Sequence, residues 1–213
     1  MIAIIPLVAN DFQENTYIVY DELKQAIIID CGLFYEQEIY NFRKIIHENS
    51  LTPIRLISTH GHIDHNIGNG IIKKDYNISP EPYIGDKDLM NCMDFQSQYL
   101  FGTKLKLSLP TVKHYLELND IIKFGNHKFT LIHTPGHTHG SVCFYCKEEK
   151  TLFTGDTLFK ESIGRTDLPG GDYKEIVNSL EILKMLPKDT KIFPGHGESS
   201  IIEHELKYNP FLK

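Results

Sequence analysis

Ile54-Arg55-Leu56-Ile57-Ser58-Thr59-His60-Gly61-His62-Ile63-Asp64-His65 is a short apolar strand that runs directly into a cluster of metal-ligand side chains. The first half is bounded and β-branched, as a buried strand is. The second half places four ligand-type residues in six positions. His60 and His62 are two apart, so extended backbone points both to one side. Asp64 and His65 follow where the chain has to turn, and the turn can aim them at a second point nearby. Gly61 leaves room for the backbone to approach a bound ion. Burying such groups without partners costs free energy, so these residue types at this spacing point to a metal centre rather than to packing.

Three further segments share one design, a strand, a glycine, then a ligand-type side chain. They are Thr134-Pro135-Gly136-His137, Thr154-Gly155-Asp156 and Pro194-Gly195-His196-Gly197. With the first cluster they offer His60, His62, Asp64, His65, His137, Asp156 and His196. A structural zinc is normally closed by four ligands, often cysteines. Seven nitrogen and oxygen ligands suit two ions that share a carboxylate and keep open positions, which is what two-metal hydrolysis needs. Histidine and carboxylate ligands suit Zn²⁺, Fe²⁺ and Mn²⁺ alike, and zinc is the expected pair of ions. His47, His114, His127 and His204 lack this context and are expected at surface or structural positions. His133, at a strand end, is placed to orient a ligand from behind.

Around this centre the chain reads as two batches of strands, each followed by helices. Strands are expected at residues 2–8, 15–20, 25–30 and 54–59, with helices at 36–49, 68–76 and 86–99, the last capped by Asp86. Residues 100–113 lose the pattern and read as a loop or lid. Strands follow at 115–118, 128–132, 141–145, 151–154 and 191–193, with helices at 172–186 and 199–208. The expectation is an α/β protein of two sheets packed face to face with helices outside. Length fits a single domain, residues 1–213.

The net charge is −6 over 213 residues, which argues against a nucleic-acid partner, since that needs a basic face. It does not exclude an anionic small-molecule substrate, because the ions bring positive charge of their own. No basic region precedes the apolar residues at positions 1–6, and no stretch is long enough to span a membrane, so a cytoplasmic location is expected. Cys143 and Cys146 fall on a strand, three apart, and so point to opposite faces and neither bridge nor share a metal.

The motifs T-H-G-H-I-D-H at 59–65, H-T-P-G-H-T at 133–138, T-G-D-T-L-F at 154–159, I-G-R-T-D-L-P-G-G-D at 163–172 and P-G-H-G at 194–197 resemble the metallo-β-lactamase superfamily. The 163–172 stretch resembles its glyoxalase II-like (hydroxyacylglutathione hydrolase-like) branch. The resemblance implies an αββα sandwich of two mixed β-sheets flanked by helices. It implies that His60, His62 and His137 hold one metal, that Asp64, His65 and His196 hold the second, and that Asp156 bridges them. It also implies hydrolysis of a thioester such as S-lactoylglutathione or a related acyl thioester, with Asp64 orienting the nucleophile. Glyoxalase II enzymes carry a C-terminal helical region that grips glutathione; residues 198–213 do not supply one, and the shorter bacterial glyoxalase II-like proteins are the nearer resemblance. Lys104, Lys106 and Lys113 are candidates to bind a substrate carboxylate in its place. Alternatives on a similar ligand set are an iron-dependent persulfide dioxygenase, a lactonase or phosphodiesterase, and a metal-binding module without activity.

Overall fold

The computed structural model describes residues 1–213 except 104 and 106. Strands β1 (Ala3–Ala9), β2 (Glu14–Tyr20), β3 (Gln25–Ile29), β4 (Thr52–Ser58) and β5 (Pro80–Pro82) form one sheet in that order. The first three pair antiparallel through short turns. The β3–β4 and β4–β5 pairs are parallel. A parallel neighbour needs a crossover, supplied here by helices α1 (Glu36–Glu48) and α2 (Asn69–Tyr76).

Helices α3 (Lys87–Asn91) and α4 (Met93–Phe101) lead on to the second half. It contains β6 (Ile121–Phe124), β7 (His127–His133), β8 (Val142–Cys146), β9 (Thr151–Gly155), a small hairpin of β10 (Leu158–Phe159) and β11 (Ser162–Ile163), helix α5 (Tyr173–Lys184), β12 (Lys191–Pro194), β13 (Ser200–Ile201) and helix α6 (Ile202–Tyr208). The second sheet runs β13-β12-β9-β8-β7-β6. Its parallel pair, β9 with β12, is again bridged by a helix, α5.

Strand periodicity explains the layers. Tyr17, Val19, Ile27, Ile29 and Ile57 face the second sheet and meet Phe124, Phe129, Phe144 and Phe153 in a core between the sheets. The alternate residues Ile18, Ile28 and Leu56 face outward and pack on Phe42, Ile46 and Ile72 of the flanking helices. On the other side Cys143, Tyr145, Leu152 and Ile192 pack on Leu180 and Leu183 of α5 and Ile202 of α6. The result is the expected αββα sandwich of two mixed sheets. Cys143 lies in the outer layer and Cys146 in the central core, both unbridged, as their spacing on a strand requires.

Two expectations are corrected. Residues 115–118 are not a strand; Leu116 is buried and makes only an isolated bridge to Tyr83. The next residues close a turn in which the backbone N–H of Glu117 donates to Asp120 Oδ2 at 2.8 Å, and the strand begins after it as β6. Its signal was the Gly125-Asn126 pair, a tight hairpin turn with Gly125 at φ +50°. The helix expected over residues 86–99 breaks at Cys92 into α3 and α4. Asp86 makes no side-chain cap there. Helix α4 extends to Phe101, inside the expected loop, and stops at Gly102, whose φ of +67° is the left-handed cap that glycine favours.

The ends of β4, β7, β9 and β12 open on one edge of the sandwich. There the two sheets are tied together: Tyr17 Oη donates to the Pro194 carbonyl at 2.7 Å, and Asn15 Nδ2 to the carbonyls of Pro194 and Gly197. Phe153 stands at the middle of the central core, edge-on to Tyr17 and Phe129 and stacked on Phe193. Phe153→Ala is expected to lower stability by about 3–5 kcal/mol, read as a shift in the urea unfolding midpoint at unchanged slope.

Candidate metal centre

The first cluster is locally determined. After β4, residues 60–62 stay extended and a 3₁₀ turn spans Ile63–His65. That turn leaves backbone groups without regular partners, and three buried side chains take them up. Asn66 Nδ2 donates to the carbonyls of His60 and His62, at 3.0 and 2.7 Å. Gln96 accepts from the Ile63 N–H at 2.9 Å and donates to the Gly61 carbonyl at 3.0 Å. Asp86 accepts from the Gly61 N–H at 2.7 Å.

The other three ligand-type residues follow turns in which glycine is required. Gly136 has φ +132°, and a β-carbon there would meet the backbone of Ile176 at the start of α5. Gly155 has φ +47° and lies against Thr59. A β-carbon on Gly195 would fall within 2.2 Å of Asp156 Oδ1 and 2.7 Å of the His65 ring. Each turn thus sets its ligand close to the others because it has no side chain of its own.

All seven residues named from the sequence converge. One donor atom from each of His60, His62 and His137 lies within 4.8 Å of the others, and the same holds for Asp64, His65 and His196. Asp156 stands between the two groups: Oδ1 is 3.4 Å from His65 Nε2, and Oδ2 is 3.5 Å from both His137 Nε2 and His196 Nε2. All but His196 and Asp156 are buried; Asp156 is nearly so, and His196 is partly exposed.

The far nitrogen of most rings is fixed by a hydrogen bond. Asp30 accepts from the Thr59 hydroxyl at 2.8 Å, so His60 Nδ1, 3.0 Å from that hydroxyl, is the donor to it. His65 Nδ1 donates to Asp30 Oδ2 at 3.0 Å, His137 Nδ1 to the Arg165 carbonyl at 2.8 Å, and His196 Nδ1 to the Phe12 carbonyl at 2.9 Å. Each of these four rings therefore turns an Nε2 to the centre, the arrangement that prepares imidazole for a metal. His60 Nε2 and Asp156 Oδ1 are buried with no hydrogen-bond partner, and His62 Nδ1 lies only 2.9 Å from His137 Nε2. Lone pairs crowded in this way need cations between them, and the donor set fits divalent ions.

Ionisation agrees with that fit. Burial, then repulsion from His65 and His137, pushes His60 well below the usual imidazole range. Burial and His137 bring His62 down to about 4. Both are neutral at pH 7, the state that binds metal. Burial raises Asp156 and Asp64, but the neighbouring imidazoles outweigh it, led by His65, and hold both below the usual carboxylate range. Burial opposes charge on His65 too, and is overcome by Asp156, Asp64 and Asp30.

Several residues were not legible in the sequence. Asp30 follows β3 in the left-handed region, at φ +57°, and takes the Thr59 N–H as well as the bonds above. An acid closing an apolar strand just before Gly32 was the available signal. Asp86 reaches across 54 residues to accept from the Gly140 N–H at 2.7 Å and also takes the Thr138 hydroxyl. It fastens the His60–His62 segment to the loop that carries His137. His133 does not reach a ligand; its Nε2 bonds the His139 carbonyl and closes that loop. Arg165 and Asp167 pair through two bonds of 2.7 Å. Lys113 lines a different surface hollow with Lys73, Asn77 and Glu81, and Lys104 and Lys106 lie outside the described residues.

The centre opens into a cavity of about 370 Å³ with Phe12, Phe159, Arg165 and Leu168 on its walls. Ligand-bearing strand ends in a two-sheet sandwich, open on one side, are the design of a metallohydrolase. The sequence profile of the metallo-β-lactamase superfamily matches residues 9–196, and the chain belongs to that superfamily. The chain is 37% identical to the hydroxyacylglutathione hydrolase GloC of Haemophilus influenzae, over 99% of this chain and 97% of that one. Its fold superposes on the BLEG-1 B3 metallo-β-lactamase with TM-score 0.89 at 31% identity, covering all of both chains. It superposes on TTHA1623 in a di-iron-bound form with TM-score 0.85 at 32% identity, covering 98% of this chain and all of that one.

Protein purified without added metal is expected to carry two divalent ions per chain by elemental analysis. Chelation should lower the melting temperature and return of the ions restore it, because a ligand bound only by the folded state stabilises it. Asp86→Ala leaves the buried N–H groups of Gly61 and Gly140 unpaired and is expected to cost on the order of 3 kcal/mol, read by chemical denaturation, with faster loss of metal to chelator.

Proposed function

We propose that the protein hydrolyses an acyl thioester at this centre, with two divalent ions, zinc foremost, as its cofactors. The observation that carries the reading is the convergence of seven donors, two of them ionised carboxylates, at the floor of an open cavity. His60, His62 and His137 would hold one ion, Asp64, His65 and His196 the other, and Asp156 would touch both. Bound there, such ions lower the pKa of a water towards neutrality and polarise a carbonyl oxygen.

The chain's own residues do the rest. Asp64, buried and ionised, offers an acceptor at the centre that orients the attacking water. Phe12 and Phe159 narrow the mouth and exclude bulk water, which strengthens every charge interaction inside. Water supplies the oxygen of the new carbon–oxygen bond, and the carbon–sulfur bond breaks. The products are a carboxylate, a thiol and one proton. A thiolate leaves readily and needs little help from an acid. The long, near-complete match to a hydroxyacylglutathione hydrolase supports a glyoxalase II-like substrate, S-lactoylglutathione or a related acyl thioester. The di-iron-bound relative supports iron as a second candidate metal. Among the described residues no helix is long and apolar enough to cross a membrane, and the reading is of an enzyme that takes a small-molecule substrate in the cytoplasm.

Thioester cleavage followed by release of free thiol is expected in metal-loaded protein. Asp64→Asn should reduce kcat at least a hundredfold while changing KM little, since orientation of the water acts mainly in the transition state. Hydrolysis that persists unchanged in this variant, or oxygen uptake with a persulfide in place of hydrolysis, would overturn the reading.

A further inference from the structure

Beside the metal cavity lies a second one, of about 270 Å³. Helix α4 and the turn before it contribute Cys92, Phe95, Tyr99 and Leu100, and the loop after Asp167 closes it with Leu168 and Pro169. The two cavities share His62, Leu100 and Leu168, so the second is a side arm of the first.

The arm offers almost nothing polar. Gln96 lines it, yet its amide is spent on Ile63, Gly61 and Leu89. His62 turns Nδ1 towards His137. Among the described lining residues there is no carboxylate, lysine or arginine. Phe95 and Tyr99 stack at 6.4 Å along one face of α4 and stay 67% and 64% exposed. Large rings left bare beside a reaction centre are a surface waiting for an apolar ligand.

Resting on the hydrolase reading above, the geometry points to this arm as the site of the substrate's acyl chain, an unbranched or aryl apolar group rather than a short hydroxyacyl one. The carbonyl sits at the metal centre, and its two arms must diverge from there. Biological thiol carriers are charged peptides or nucleotides, and a cavity without charge would hold them at a desolvation cost. The acyl arm has no such cost. At about 30 Å³ for each water-sized group, the volume accommodates a chain of roughly eight carbons.

The test pairs kinetics with a readout that needs no turnover. On one constant thiol, kcat/KM for acetyl, butyryl, hexanoyl and octanoyl thioesters is expected to rise about three- to fourfold per methylene, then level off. Cys92 is exposed while Cys31, Cys143 and Cys146 are buried, so iodoacetamide reports on the arm selectively. The octanoyl amide, which is not cleaved, should slow alkylation of Cys92, and the acetyl amide should not. In Cys92→Trp, which fills the arm and adds the chain's first tryptophan, the octanoyl-to-acetyl ratio should fall at least tenfold. Rates flat with chain length, or Cys92 alkylated equally with and without the octanoyl amide, would overturn the assignment. A Cys92 already shielded in a dimeric protein would give this face to a second copy and overturn it too. If Cys92 is protected but no thioester is cleaved, the apolar arm stands and the hydrolase reading alone has failed.

Discussion

Crowding of ionisable groups in a dry corner is the constraint on which the rest of this structure depends. Five imidazoles and two carboxylates come within a few ångströms of one another at the edge of the sandwich. Left to itself such a cluster would repel, take up water or rearrange. It holds because four of the rings, His60, His65, His137 and His196, are tied on their far side. Asp30 clamps Thr59 and His65, and carbonyls of Arg165 and Phe12 hold His137 and His196. Side chains held in this way meet an arriving cation without paying again for their order, which is the physical content of preorganisation.

The same constraint explains features of the fold that look unrelated. Gly136, Gly155 and Gly195 each remove a side chain where another element must come close. Asn66, Gln96 and Asp86 satisfy a backbone that has left regular structure, and they do it from three different elements. Buried amide and carboxylate groups are tolerable only when their hydrogen bonds are complete. Here they are complete largely because they grip the ligand-bearing loops. Loss of one partner would therefore act on the centre and on stability together.

The metal cavity and its apolar arm differ in how they are built. The cavity floor is charged and rigid, assembled from strand ends. The arm is carbon-walled and made from α4 and the loop after Asp167. Residues that line a wall of this kind can vary without moving the side chains at the floor.

Much of the centre was legible in the sequence. His60, His62, Asp64 and His65 are neighbours in the chain, and His137, Asp156 and His196 each follow a strand and a glycine, so their role is written in local spacing. The layers were legible for a similar reason, since the alternation in β2, β3, β4 and β8 assigns faces residue by residue. Asp86 was misread as a helix cap, because its partners Gly61, Thr138 and Gly140 lie up to 54 residues away. The break at Cys92 and the apolar arm were equally hidden, as each depends on which segments meet in space. Residue type and spacing alone picked out the seven ligand-type side chains that converge and pointed to a metal centre. Only the tertiary structure decided what holds those ligands and what surface lies beside them, because hydrogen bonds and cavity walls are made between distant parts of the chain.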